Sequence, residues 1–308
     1  MVVPLPRKLL ALALAAGLLL LGGCATRTPD QDSTAKPDTE AAFPVTVGSV
    51  TIPARPGRIV SLSPSATETL FALGAGPQVA AVDSASDYPA QAPHTQLSAL
   101  SPDPEAIAAY HPDLVVVAAD PNSLAAALAR ISVPTLVMPD AKTLDEAYAE
   151  FVSLGKATGH QAEGESLARQ TCDEVDKIVA GTPKPARPLG YYYELDQTYY
   201  SVTSATFIGQ ILGRFGLTSI ADGVAGSGYP QLSPERILQA DPALIFLADS
   251  KCCGQNGQTI SARPGWSTLT AVKQGHVFPL DDALASRWSP RIVDLVRAVS
   301  GAVTSAAR

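Results

Sequence analysis

At 308 residues the chain is longer than one typical domain and can bury two sizeable cores; 46% hydrophobic and 17% charged residues is the balance of a globular protein, not a disordered one. Its 22 basic and 29 acidic residues leave a formal charge of −7, the wrong sign for a nucleic-acid partner.

Residues 1–23 read as an export leader, with Arg7 and Lys8 followed by an apolar run from Leu9 to Leu21. The run is short for a bilayer span but suits a secretory core. It ends Leu21-Gly22-Gly23-Cys24, which resembles a bacterial lipobox, so Cys24 is the expected lipidation site and the anchor on the extracytoplasmic face of the cell membrane. Residues 24–44, rich in Thr, Asp, Pro and Lys, then form a solvated tether. Loss of the leader's two basic residues takes the exported chain to about −9.

Residues 45–142 are expected to form an N-terminal lobe. Val45 to Pro53 alternates as a small edge hairpin, and Arg58 to Leu62 is the first strand of the main sheet. Ser63 to Glu68 supplies hydroxyl caps for a helix whose free N–H groups face the strand ends. Val79 to Val82, the run from Leu114, and Thr135 to Met138 complete the sheet. Residues 143–181 carry the linking helices. Thr143 with Glu146 predicts a capping box, and a helix from about Ala162 to Ala180, roughly 28 Å long, could cross from lobe to lobe. Residues 182–308 form the C-terminal lobe, with strands predicted at Leu189 to Leu195, Leu244 to Ala248 and His276 to Leu280, and a last helix from Pro290 to about Val303.

One pattern occurs twice. Glu105 and Glu235 each stand beside a proline, with an Ile two residues on, a second proline seven residues on (Pro112, Pro242), and an apolar strand after it. Upstream, Ser65-Ala66-Thr67 and Ser204-Ala205-Thr206 open helical patterns in the same order. Two ordered echoes predict two lobes of similar topology. The two glutamates fall in first helical turns, where a carboxylate favours the helix dipole.

Enzyme signatures are thin: there is no Gly-x-Ser-x-Gly, His-Glu-x-x-His or phosphate loop, and His94, His111, His160 and His276 share no motif. Beyond Cys24, an oxidising compartment predicts one disulfide among Cys172, Cys252 and Cys253; a vicinal Cys252–Cys253 bond and a bond to Cys172 are both open. No metal-ligand spacing surrounds them, and no metal is expected. Loop tips instead carry Tyr88, Tyr199, Tyr229, Arg287 and Trp288, the flat apolar area and hydrogen-bonding fork of a binding cleft.

The segments Arg58-Ile-Val-Ser-Leu-Ser-Pro-Ser-Ala-Thr-Glu-Thr-Leu, Ser86-Asp-Tyr-Pro, His111-Pro-Asp-Leu-Val, Tyr229-Pro-Gln-Leu-Ser, Arg263-Pro-Gly-Trp and Ser289-Pro-Arg-Ile-Val, in that order, resemble the helical-backbone class of ABC importer substrate-binding proteins. Among these, the pattern is most similar to the cobalamin and ferric-siderophore binders. The resemblance implies an α/β protein of two Rossmann-like lobes joined by a single long α-helix, with the ligand cleft between them. It implies a monomeric, non-enzymatic protein without a resident cofactor, working with a membrane permease dimer and its ATPase subunits. The ligand it implies is a corrinoid, with a ferric siderophore or haem as the alternative. Tyr199, Tyr229 and Arg287 fall where the cobalamin binders have cleft aromatics and a cleft Arg, and Glu105 and Glu235 fall where the family docks on its permease. Ala85 stands where that pattern has an aromatic, no Trp occurs near Ala99 and Leu100, and the acid before the cleft Arg is displaced by one, to Asp282.

Overall fold

A computed structural model describes residues 43–307. The leader, Cys24 and nearly all of the expected tether lie outside the described residues. The chain enters through a two-stranded antiparallel hairpin, β1 (Val45–Val47) and β2 (Val50–Ile52). It is a sheet of its own rather than an edge of the main one. Its inward side chains Val45, Val47 and Ile52 join the apolar cluster beneath the first lobe.

The first lobe follows as β3 (Ile59–Leu62), α1 (Pro64–Ala72), β4 (Val79–Val82), α2 (Pro104–Ala108), β5 (Leu114–Val117), α3 (Leu124–Ala129) and β6 (Thr135–Val137). Its strands form a parallel sheet in the order β4-β3-β5-β6. All four residues of β3 and of β5 are buried, as a sheet covered on both faces requires. Alternation along β5 sends Leu114 and Val116 toward Leu70 of α1, and Val115 and Val117 toward Ile107, Leu124 and Leu128 on the other face.

Two helices then carry the chain across: α4 (Leu144–Thr158) and α5 (Gln161–Gly181). Thr143 accepts from the Glu146 N–H at 3.2 Å, but Glu146 reaches back to the Lys142 N–H, one residue before the cap, so only half of the predicted box forms. The helices approach so closely at Gly155 and Gly164 that a Cβ on Gly155 would lie 2.6 Å from the His160 carbonyl, and one on Gly164 2.7 Å from that of Phe151. At 21 residues α5 is about 32 Å long. The α4 helix packs on α1 of the first lobe.

The second lobe comprises β7 (Leu189–Glu194), α6 (Phe207–Gly213), β8 (Leu217–Ser219), α7 (Pro234–Ala240), β9 (Leu244–Leu247), α8 (Ser250–Cys253), α9 (Gly257–Ser261), α10 (Thr270–Lys273), β10 (Val277–Pro279) and α11 (Ile292–Ala306), the last packed on α5. Its parallel sheet runs β10-β9-β7-β8. The fourth strand, β8, is one more than the three predicted: a three-residue edge strand entered from Gly216 at φ +77° with Thr218 exposed, it is too short to carry a period.

The two lobes share one topology: in each, the second strand lies at an edge, followed by the first, third and fourth. The repeated stretches are equivalent segments. Pro104 and Pro234 open α2 and α7, and Ile107 and Ile237 are fully buried. His111 (φ 49°) and Asp241 (φ 42°) then turn through the left-handed region before a proline, into β5 and β9. The Ser-Ala-Thr echo is only partly structural. Thr206 caps α6, accepting from the Gly209 N–H at 3.0 Å, whereas Thr67 lies inside α1, which Ser63 caps.

Candidate functional site

The carboxyl ends of both parallel sheets, where strand-end loops gather, border the cleft between the lobes. On the first lobe a buried hydroxyl string holds the loop after β4. The Thr67 hydroxyl donates to Ser61 Oγ at 2.9 Å and lies 3.1 Å from Ser86 Oγ, and Ser86 donates to Asp83. Burial pushes the Asp83 carboxyl up, against the pull of Ser86. This loop presents Asp87 and Tyr88, and the guanidinium of Arg291 stacks over the Tyr88 ring at 4.1 Å.

Glu68, buried in α1, ties the lobes together. Arg287 donates to Glu68 at 2.7 Å, to Asp87 at 2.8 Å and to the Ala85 carbonyl at 3.0 Å. Arg291 reaches the same carboxylate at 3.2 Å, and the Ser289 hydroxyl donates to its other oxygen. Burial works against the charge of Arg287, but its bonds to Glu68 and Asp87 outweigh that and raise its pKa.

A cavity of about 510 Å³ opens beside this junction, within the range of small-molecule pockets. Tyr229, Trp288, Phe207, Ile208 and Leu195 give it apolar walls, and Asp140 and Lys142 lie at the crossover side. Gln210 of α6 donates to the Lys142 carbonyl at 2.8 Å, joining that edge to the second lobe. Glu150 of α4 is pushed up to about 7 by burial, with the Trp288 indole opposing and Asp140 and Glu146 adding to the rise. Tyr229 is raised by burial and by Asp140.

The second lobe holds a separate buried network at the ends of β7 and β9. Glu194, fully buried, receives both arms of Arg263 at 2.6 Å each, and Arg263 also donates to Gln255 at 2.8 Å. Arg263 lies over the Trp266 ring at 4.7 Å and the Tyr199 ring at 5.5 Å. Asp249 sits alongside with neither carboxylate oxygen meeting a donor, and burial together with the Glu194 charge pushes its pKa up to about 7. With two carboxyls beside one guanidinium, and that guanidinium bonded to Glu194, Asp249 is the carboxyl left without a compensating donor.

The five predicted cleft residues therefore fall in three places. Tyr229 and Trp288 meet on the cavity wall. Arg287 lies at the junction, bonded to Glu68, and Tyr88 reaches the same place only through Arg291, which stacks on its ring and bonds Glu68. Tyr199, held at φ 69°, lies apart against Trp266 and Arg263. Glu105 and Glu235 are exposed in the first turns of α2 and α7, one on each lobe. Sequence reasoning gave no role to Glu68, Glu150, Glu194, Asp249 or Arg291. Glu194 had a usable signal, since a charged residue closing a run of buried strand residues needs a partner. The cysteines resolve as a vicinal Cys252–Cys253 disulfide with Cys172 free.

Residues 59–284 match the family described as periplasmic binding protein. An uncharacterized ABC transporter substrate-binding lipoprotein of Bacillus subtilis is 28% identical over 95% of this chain and 95% of its own. The vitamin B12-binding protein of Pectobacterium carotovorum is 28% identical over 82% of this chain and 90% of its own. Among solved structures, the periplasmic vitamin B12 binding protein of Vibrio cholerae superposes with a TM-score of 0.66 at 25% identity, covering 82% of this chain and 98% of that one. A periplasmic heme-binding protein from Roseiflexus reaches 0.71 at 25% identity, covering 82% and 99%.

Proposed function

The chain belongs to the periplasmic binding protein family, and from that membership we propose that it captures a corrinoid of the cobalamin type in the cleft and delivers it to an ABC permease. The coarser role, an extracytoplasmic substrate-binding protein of an ABC importer with no catalytic step of its own, comes with the family. The observation that carries the finer reading is the apolar cavity with Tyr229 and Trp288 on its wall beside the Arg287–Glu68 junction. Flat rings hold a planar macrocycle by contact area, and nearby charged groups address its polar edge. The vitamin B12-binding relatives support the corrinoid in particular. In this reading Cys24 carries the lipid, residues 24–44 tether the monomer to the membrane, and Glu105 and Glu235 seat it on a two-subunit permease.

Haem or a ferric siderophore is the second reading. It is favoured by the heme-binding structural relative and by Tyr229 on the cavity wall, since a tyrosine phenol is one of the side chains that ligate haem iron. One titration separates the readings. The purified protein is mixed with cyanocobalamin, haemin and a ferric hydroxamate while Tyr and Trp fluorescence is followed, then passed through gel filtration. Cyanocobalamin colour retained with the protein is the expected result; retention of haemin or the iron chelate in its place overturns the corrinoid.

A further inference from the structure

The Cys252–Cys253 disulfide joins adjacent residues and so closes the smallest possible loop. A crosslink stabilises a fold chiefly by restricting the unfolded chain, and more so as the loop lengthens, so this one does little for global stability. Its consequence is local, in the α8 turn that contains both cysteines. Both residues are exposed, which makes the bond reachable by thiols. Cys172, by contrast, is partly buried on α5, with its thiol pushed up by burial and by Asp176.

The α8 turn is fastened on two sides to segments that wall the cavity. Asp282 accepts from the backbone N–H of Lys251 at 3.0 Å and of Cys252 at 2.7 Å, and from the Ser250 hydroxyl at 3.3 Å. Lys251 also pairs with Asp281. The carbonyl of Asp282 in turn accepts the Ser286 hydroxyl at 2.7 Å, and Ser286 and its neighbour Ala285 are wall residues. On the other side the Gln197 amide donates to the Cys253 carbonyl at 3.4 Å, two residues from the wall residue Leu195. A change in the freedom of this turn reaches the wall through both attachments.

We propose that Cys252–Cys253 is a thiol–disulfide exchange site, whose reduction by an extracytoplasmic dithiol loosens the cavity wall and weakens ligand retention. The coupling to ligand rests on the cavity reading above. In the exchange one thiolate of the reductant attacks a cysteine sulfur, breaks the Cys252–Cys253 bond and forms a mixed disulfide. Its second thiol then displaces the protein sulfur. The protein gains two electrons and two protons as two thiols, and the dithiol leaves as a disulfide.

The test treats the folded full chain with dithiothreitol, alkylates it with iodoacetamide and removes both reagents. Peptide mass spectrometry locates the alkylated cysteines, and hydrogen exchange compares residues 195–200 and 280–288 before and after. The expected result is alkylation at Cys252 and Cys253 with little change in Tm, faster exchange in both segments, and cyanocobalamin or haemin retention weakened on the order of fivefold or more. A Cys252→Ser/Cys253→Ser variant should match the reduced protein without any reagent. A disulfide inert to dithiothreitol in the folded chain, or unchanged exchange in both segments, overturns the proposal, as does a double variant that behaves like the oxidised protein. If neither form retains either probe, the ligand reading fails by itself, while the exchange data still decide the switch.

Discussion

Arg287 and Trp288 are neighbours in the chain with different duties: Arg287 reaches across to Glu68 and Asp87, while Trp288 lines the cavity and meets Glu150. The cavity aromatics are therefore the residues to truncate when ligand contact is in question. Tyr229→Ala and Trp288→Ala are each expected to cost about 2 kcal/mol of binding, as lost aromatic anchors do, with Tm nearly unchanged for the half-exposed Tyr229. Isothermal titration with the retained ligand checks this; wild-type affinity in both variants would move the site elsewhere. Asp249 supplies a second prediction. Its pKa rises from 3.8 to about 7 on folding, so the folded state holds the proton more tightly than the unfolded one. The stability it contributes is complete below its unfolded pKa and is lost as pH rises through about 7. Glu150, raised from 4.5 to about 7, acts in the same sense. Tm should thus fall between about pH 4 and pH 7 and level off above, and Asp249→Asn should flatten that fall and raise Tm at the alkaline end. Calorimetry across the range decides it, and parallel curves for parent and variant would reject the raised Asp249 pKa.

At the scale of elements, α2 and α7 are the repeated units. Each opens on a proline, caps itself with the residue before it (Asp103 or Ser233), and holds a glutamate in its first turn. As helix-dipole partners open to solvent these carboxylates add little, so stability alone gives little reason for two exposed acids at equivalent places on two lobes. Docking on a two-subunit permease does give one, because complementary charge sets register and encounter rate across an interface. Glu105→Arg with Glu235→Arg should leave Tm and ligand affinity near wild type while abolishing uptake in cells carrying the permease. Uptake at the wild-type rate in the double variant would reduce both residues to helix caps.

For the whole molecule, the question is how far the lobes move. The α4–α5 pair is locked by the close approach at Gly155 and Gly164, and Arg287, Ser289 and Arg291 of the second lobe converge on one buried carboxylate of the first. Removing one member of such a buried set leaves an uncompensated charge, at a cost of about 3–5 kcal/mol. Closure on ligand binding should therefore be small and confined largely to loops. Small-angle scattering with and without ligand measures it: a radius of gyration that drops by several ångströms would show a true hinge. Arg287→Ala should loosen the junction, appearing as a lowered Tm and, in the free protein, a broader scattering distribution.

The two-lobed plan was legible in the residues because its signals are local. A run such as Leu114 to Val117 has no polar face to leave in water, and Pro104 and Pro234 can open a helix but not continue one. The long crossing helix was legible for the same reason, through the spacing of Leu167, Val175 and Ile178 along one face. The short edge strand β8 was not, since three residues do not establish a period. The partnerships were decided only by the fold. Arg287 meets Glu68 across 219 positions, Arg263 meets Glu194 across 69, and Cys252 pairs with its neighbour rather than with Cys172. Neither ion pair has a local cause, whereas the disulfide closes between chain neighbours within one turn. A buried charge takes whichever opposite charge the packed lobes bring within hydrogen-bond reach, and that distance exists only once the two sheets and their linking helices have taken their places.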